Sequence, residues 1–357
     1  MSLTGGAFFA TLIVLCILAV AATAVVAPRI PGPRAVAVLG RLLMVALCQL
    51  IAVAVVAVWI NNSFGLYTSW SDLFGTNSGA SLTTGPMAGP PIRSATFTRG
   101  PRGVLHTYVH GSASKLAGQV LVWTPPQYDQ PAYRNTRFPV VTLLHGIPGS
   151  PESWIDAGGM PRAVQNLLAE GRVRPFILAI PTIDPGRVNT DCSDVGAIRT
   201  ATWLAKDVPA LMDQRFRTLP TARGRALLGL STGGFCAVKL PLQYPHIFAT
   251  GAAMSPDPLD GDPDALPDPA LRALNSPQQI IRHSHPAVSL FLATTLQDHY
   301  SKPADIERFH RSARLPTKVS TLLLASGGHN FGTWQRMYAT VLPWISARLA
   351  AASPPPR

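Results

Sequence analysis

The run G-L-S-T-G-G (229–234) sets a serine among glycines. It lies between an apolar stretch, RALLGLS (225–231), and a segment that reads as a helix from about 233 to 244. A strand-turn-helix junction of this kind holds a hydroxyl out on a sharp turn, where it can attack a carbonyl carbon. Gly229 and Gly233 leave room for the close backbone approach that such a turn imposes. The following helix would point its positive end at the same place. Ser231 is therefore the candidate nucleophile; a serine that merely caps the helix is the alternative.

A serine hydroxyl needs a base, and the base needs an acid to orient it. Where the nucleophile sits on such an elbow, the chain order is serine, then aspartate or glutamate, then histidine. His329, in S-G-G-H-N-F, follows the apolar run VSTLLLAS (319–326) and precedes the last helix. Asp298, in T-L-Q-D-H-Y, follows VSLFLATT (288–295), with Asp305 and Glu307 as lesser candidates. The tetrahedral intermediate further needs an oxyanion hole. The N–H of Thr232, next after the nucleophile, is one expected donor. The second should come from the loop after VVTLLHG (140–146). Pro148 has no N–H, so Ile147 is the expected donor, and His145 packs beneath the loop.

These residues must be held by an ordered frame. VLHTYVH (104–110) and QVLVW (119–123) read as antiparallel strands joined by a turn. VVTLLHG, FILAIP (176–181), RALLGLS, FATGAAMS (248–255), VSLFLATT and VSTLLLAS are short apolar runs that read as buried strands. Helices are expected at 160–171, 201–216, 233–244, 304–313 and 333–349, with Gly171 closing the first and Pro209 kinking the second. Apolar strands alternating with helices predict an α/β fold, a mostly parallel sheet covered on both faces. The proline-rich stretch 256–287 reads as a loop or cap over the site.

The 357 residues carry 30 Lys+Arg against 18 Asp+Glu, yet only 13% are charged and 47% are apolar. That balance excludes a disordered chain, and the prolines and glycines show no collagen period. The uncharged surplus lies at the start. Residues 7–27 contain no charge, and residues 42–60 contain Gln49 as the one strongly polar residue. Each run is near the ~20 residues that cross a ~30 Å hydrocarbon core, so they read as a membrane hairpin over 1–61. A cleaved signal peptide is the rival reading of the first run, but Met1 to Gly6 lacks a basic n-region. Arg29, Arg34 and Arg41 would hold the short connection in the cytoplasm, which puts everything after Asn61 outside. Phe64, Tyr67, Trp70 and Phe74 suit an interfacial belt or a piece of core. The segment 62–94 reads as interface and linker, 95–350 as the catalytic domain and 351–357 as a tail. The dispersed basic residues lack a nucleic-acid motif and fit attraction to anionic lipid.

L-L-H-G-I-P-G, T-D-C-S-D, W-L-A-K-D-V-P, G-L-S-T-G-G-F-C-A and G-G-H-N-F together resemble the α/β-hydrolase "putative esterase" family over roughly 95–350. That family includes esterase D-type enzymes, enterochelin esterases and secreted mycolyltransferases. The resemblance implies serine acyl chemistry without a cofactor. It implies the same roles for Ser231, Asp298 and His329, and Ile147 as the oxyanion residue. The mycolyltransferases carry an Asp-Gly-Leu-Arg loop that helps bind trehalose; this chain departs from it, reading His145-Gly146-Ile147-Pro148 there, which counts against trehalose as acceptor but not against acyl transfer to another acceptor.

The expected function is thus a membrane-anchored, extracytoplasmic serine esterase acting on a lipid or small-molecule ester. The alternatives are an acyltransferase serving a cell-envelope alcohol, a silent binding domain that kept the fold, and a soluble secreted enzyme. Cys192, in the loop after FILAIP, and Cys236, one helical turn beyond Ser231, are expected to form a disulfide in an exported domain; two buried thiols are the alternative. Cys16 and Cys48 lie inside the membrane runs as small apolar fillers. No metal is expected: D-P-L-D-G-D-P-D (257–264) lacks the EF-hand order, and His283 and His285 are a weak pair.

Overall fold

The computed structural model describes residues 6–64, 70 and 90–354. The chain divides into two compact units, Met1–Ser81 and Leu82–Arg357.

The first unit is a helical hairpin. Helix α1 (Gly6–Val26) has no buried residue. A 3₁₀ turn (Ala27–Arg29) and Gly32, at φ +119°, reverse the chain into α2 (Arg34–Phe64). The last carbonyls of α1 lack helical partners; Arg29 donates to the Val25 carbonyl, and Arg41 Nε donates to the Ala27 carbonyl at 2.9 Å. Thr23 Oγ1 lies 3.1 Å from Cys48 Sγ across the pair. Helix α2 begins well before the apolar run expected at 42–60, because RAVAVLGR continues it back to Pro33, where the proline ends the pattern. Trp70 packs edge-on against Phe8, with ring centres 5.2 Å apart. Tyr67, Phe74 and most of the expected linker lie outside the described residues.

The second unit is built on a nine-stranded sheet. Its strands are β1 (Thr98–Arg99), β2 (Leu105–His110), β3 (Ala117–Trp123), β4 (Val140–Leu144), β5 (Ile177–Pro181), β8 (Arg225–Ser231), β9 (Thr250–Pro256), β10 (Ser289–Thr295) and β11 (Lys318–Leu324). A small separate hairpin, β6 (Asp194–Val195) and β7 (Ile198–Arg199), follows β5 in the chain. The spatial order is β1-β2-β3-β5-β4-β8-β9-β10-β11. β1, β2, β3 and β5 pair antiparallel in turn, and β5, β4, β8, β9, β10 and β11 pair parallel in turn.

Side chains alternate between the two faces, as strand pleating requires. Val141, Leu143, Leu178 and Ile180 point to one face. Helices α3 (Met160–Ala169) and α9 (Phe331–Arg348) cover it with Met160, Val164, Met337 and Val341. Val140, Leu144, Ile177 and Ala179 point to the other. Trp203, Phe235 of α5 (Thr232–Gln243) and Phe309 of α8 (Pro303–Ser312) cover that side. The doubly covered parallel sheet is the α/β-hydrolase type of architecture that the strand and helix pattern predicts.

Two segments differ in detail from their expectation. The helix expected over 201–216 is a short turn (Thr200–Thr202), a π turn (Trp203–Asp207) and then α4 (Val208–Arg215). Pro209 cannot supply an N–H, and the wide turn before it absorbs the break. The Asp207 carboxylate accepts the N–H groups of Ala113 and Ser114 at 2.9 and 2.8 Å, tying this turn to the β2–β3 connection. The stretch 256–287 is also more ordered than a loop. It contains α6 (Pro269–Asn275) and α7 (Pro277–His283), each opened by a proline and capped by a side chain, Asp268 and Ser276 respectively.

Candidate active site

In a parallel sheet all the strands deliver their C-terminal ends to one rim, where ligands bind. β8 ends on Ser231, at φ 54° and ψ −126°, a backbone conformation that costs a non-glycine residue energy and that the surrounding structure must impose. The glycines around it are steric necessities. A Cβ on Gly229 would lie 1.9 Å from the Gly233 carbonyl oxygen, and one on Gly233 would lie 2.1 Å from the Leu144 carbonyl oxygen. Thr232 is the first residue of α5, so its N–H is among the helix-terminal donors that α5 cannot satisfy itself.

His329 stands on the loop between β11 and α9. Its Nε2 is 2.9 Å from Ser231 Oγ, and its Nδ1 is 3.0 Å from Asp298 Oδ2. Asn330, the next residue, caps α9 by accepting the Thr333 N–H at 3.1 Å, which fixes where the imidazole loop ends. Gln297 Oε1 accepts the Gly327 N–H at 3.1 Å, joining that loop to the turn carrying Asp298. The imidazole lies edge-on to Tyr300 and Trp334, each ring centre 5.2 Å away.

Asp298 is 3% exposed. Burial alone would raise its pKa. The hydrogen bond from His329 and the N–H of Ser301 at 2.9 Å outweigh it and bring the carboxyl down to about 2. Asp298 is therefore an anion at every pH of interest. It accepts from Nδ1, so Nε2 is left free to accept from the serine. Asp305 and Glu307, the lesser candidates, are on α8 and pair with Arg308 and Arg311.

The loop after β4 abuts Ser231: a Cβ on Gly146 would lie 3.0 Å from Ser231 Cβ. Ile147 follows it, joined to Pro148 by a cis peptide. His145 is fully buried beneath the loop. Its Nδ1 lies 2.7 Å from the Gly146 carbonyl oxygen, and its Nε2 lies 3.2 Å from the Ile183 amide nitrogen. Burial lowers its pKa to about 4, with the Gly146 bond opposing, so the ring is neutral: Nδ1–H donates and Nε2 accepts.

Cys192 and Cys236 are joined by a disulfide between the loop after β5 and α5. Lys239, one turn further along α5, is fully buried. Its ammonium donates to the Asp191 carbonyl and, at 2.7 Å, to Ser193 Oγ, so the same loop is held a second time.

One residue of the site has no counterpart among the expected ones. Asp257 stands just past the end of β9, 6% exposed. Its Oδ1 is 3.0 Å from Ser231 Oγ, and its Oδ2 is 2.7 Å from Thr232 Oγ1. The acidic run 257–264 contains this carboxylate, but nothing in the run singles it out. The signal lies in the sheet register instead: Leu230 pairs with Met254 but Ser231 pairs with Pro256, and Asp257 follows this one-residue irregularity, beside Ser231.

Residues 117–345 match the family described as "Putative esterase". An uncharacterized protein of Corynebacterium glutamicum is 25% identical over 252 residues. That match takes in 65% of this chain but 58% of the relative, so the chain spans little more than half of that relative's length. Among solved structures, a ferulic acid esterase superposes with a TM-score of 0.59 at 19% identity, over 69% of this chain and 98% of its own. An S-formylglutathione hydrolase from Agrobacterium tumefaciens gives 0.57 at 16% identity, over 72% and 99%. At those identities the likeness is one of fold.

Proposed function

The chain belongs to the "putative esterase" family, and from that premise we propose that it is a membrane-anchored serine esterase acting through an acyl-enzyme. The single observation that carries the reading is the unbroken line Ser231 Oγ–His329 Nε2 and His329 Nδ1–Asp298 Oδ2, at 2.9 and 3.0 Å. His329 takes the proton of Ser231 as Oγ bonds to the ester carbonyl carbon, and the carbonyl electron pair moves onto oxygen. Asp298, already ionised, stabilises the imidazolium that forms. The N–H groups of Ile147 and Thr232 receive the oxyanion. The imidazolium then protonates the leaving alcohol. Water, activated by the same ring, completes hydrolysis and restores Ser231.

The anchor and its orientation belong to the same proposal. Both hairpin helices are long and apolar enough to cross a membrane. The arginines of the connection favour the cytoplasmic side, and a disulfide in the second unit suits an oxidising compartment. The substrate would then be an ester of the cell envelope or its surroundings.

The test is covalent labelling of the full-length chain with a fluorophosphonate. Wild type labels on a single serine, and Ser231→Ala abolishes the label. Asp298→Asn lowers the labelling rate by roughly 10³–10⁴, as loss of the orienting acid does elsewhere. A wild-type chain that takes no label is a silent hydrolase-fold domain.

A further inference from the structure

Ser231 has one proton and two acceptors in reach. His329 Nε2 is 2.9 Å from its Oγ, and Asp257 Oδ1 is 3.0 Å away on another side. A hydroxyl cannot donate to both. Both contacts are hydrogen bonds at once only when one neighbour donates to Oγ. Two arrangements with the same number of protons satisfy this, one with the shared proton on Asp257 and one with it on His329 Nε2. In the first, Asp257 is a neutral acid: its O–H donates to Ser231, Ser231 donates to His329, and Nδ1–H donates to Asp298. In the second, Asp257 is a carboxylate and His329 is an imidazolium, and the serine proton points away from the base.

We propose that Asp257 is a fourth member of the catalytic line, active as the neutral acid that donates to Ser231 Oγ and inhibitory once ionised. This rests on the serine-esterase reading above and deepens it. The neutral form leaves the serine proton aimed at a free imidazole, the state from which attack proceeds. During attack Asp257 keeps its proton; only the serine proton moves, to Nε2. Loss of the Asp257 proton to solvent creates a charged acceptor beside Oγ, and charge-assisted hydrogen bonds are roughly twice as strong as neutral ones. The serine proton then turns from His329 to Asp257 and must be turned back before each attack.

The surroundings favour the neutral form. Asp257 is held above the usual carboxylate range chiefly by burial, with Asp262 acting the same way; the bonds from Thr232 and Ser231 and the charge of a protonated His329 oppose it. The ionisable groups that face it come from several elements. Asp262 lies in its own segment, Asp191 in the loop after β5, His329 before α9, and Tyr300 in the turn after β10. Lys239 of α5, behind Asp191, is the cation among them, and its ammonium is engaged by that loop.

The experiment measures the rate of fluorophosphonate labelling against pH on the full-length chain in detergent. The wild-type profile is bell-shaped, with an alkaline fall of about tenfold, the loss expected when the nucleophile must exchange a charged for a neutral acceptor. In Asp257→Asn the amide N–H donates to Oγ at every pH, and the alkaline fall disappears. Thr232→Val removes the hydroxyl donor to Oδ2 and so destabilises the ionised form; the alkaline limb moves to higher pH. A wild-type profile without an alkaline limb overturns the proposal, whether or not the variants fold. So does a limb that persists unshifted in Asp257→Asn and Thr232→Val. Labelling that is absent from wild type as from Ser231→Ala refutes the esterase reading itself, a different result from a labelled chain with an unchanged limb.

Discussion

His145 has both ring nitrogens engaged and no contact with solvent. Its pKa is about 4 in the folded chain and near 6.5 when unfolded. Between those values the unfolded chain binds the extra proton, so stability falls as pH drops from 6.5 toward 4 and is fully present above 6.5. The loss from this one ring is at most about 3 kcal/mol. Thermal melts at pH 7 and pH 4.5 should show it, and His145→Asn, which keeps a donor near the Nδ1 position, should flatten the slope. A pH slope that is the same in wild type and His145→Asn contradicts the assignment. At this scale the three side chains that the structure brings together, Ser231, Asp298 and His329, could each be singled out from the chain, because each stands at the end of or just after an apolar run. Asp257 could not. It looks like one more acid in a solvated run, and its place beside Ser231 comes after a shift in strand pairing that no residue type signals.

The elements were legible where the apolar period was clean, as in β4, β5 and β8. They were less so where a tertiary contact competes with the local pattern. The π turn Trp203–Asp207 exists because Pro209 breaks the helix and Asp207 is drawn to Ala113 and Ser114. The loop after β5 is another such case. Asp191 and Cys192 both adopt positive φ, at 49° and 50°, an unfavourable posture for residues with side chains. The disulfide to α5 and the buried Lys239 hold them there. Burial drives the Lys239 pKa down and the Asp191 pKa up, so neither charge is comfortable in that place. The covalent link closes 44 residues of chain. Replacing Cys192 and Cys236 together by serine should cost about 2–4 kcal/mol, read from denaturant midpoints. An unchanged midpoint would show that the loop needs no tether.

The molecule as a whole joins a hairpin of largely exposed apolar helices to a doubly covered sheet. Helix α1 buries nothing, and α2 exposes Leu43, Leu50 and Val53. Such surface is stable in lipid, where every backbone group of a helix is already paired. The full chain should sediment with membranes and stay there through alkaline carbonate. Protease added to intact cells should remove the second unit. Recovery as a soluble protein with its N-terminus after Ala27 would replace the anchor with a cleaved leader.

Ser231 and His329 are 98 residues apart, and the imidazole precedes the last helix. A chain leaving the ribosome therefore exposes Ser231 well before His329. Helix α9 must emerge and seat Met337, Val341 and Ile345 under the sheet before Ser231 meets the imidazole of His329. Biosynthesis thus withholds the Ser231–His329 contact until the final segment has docked.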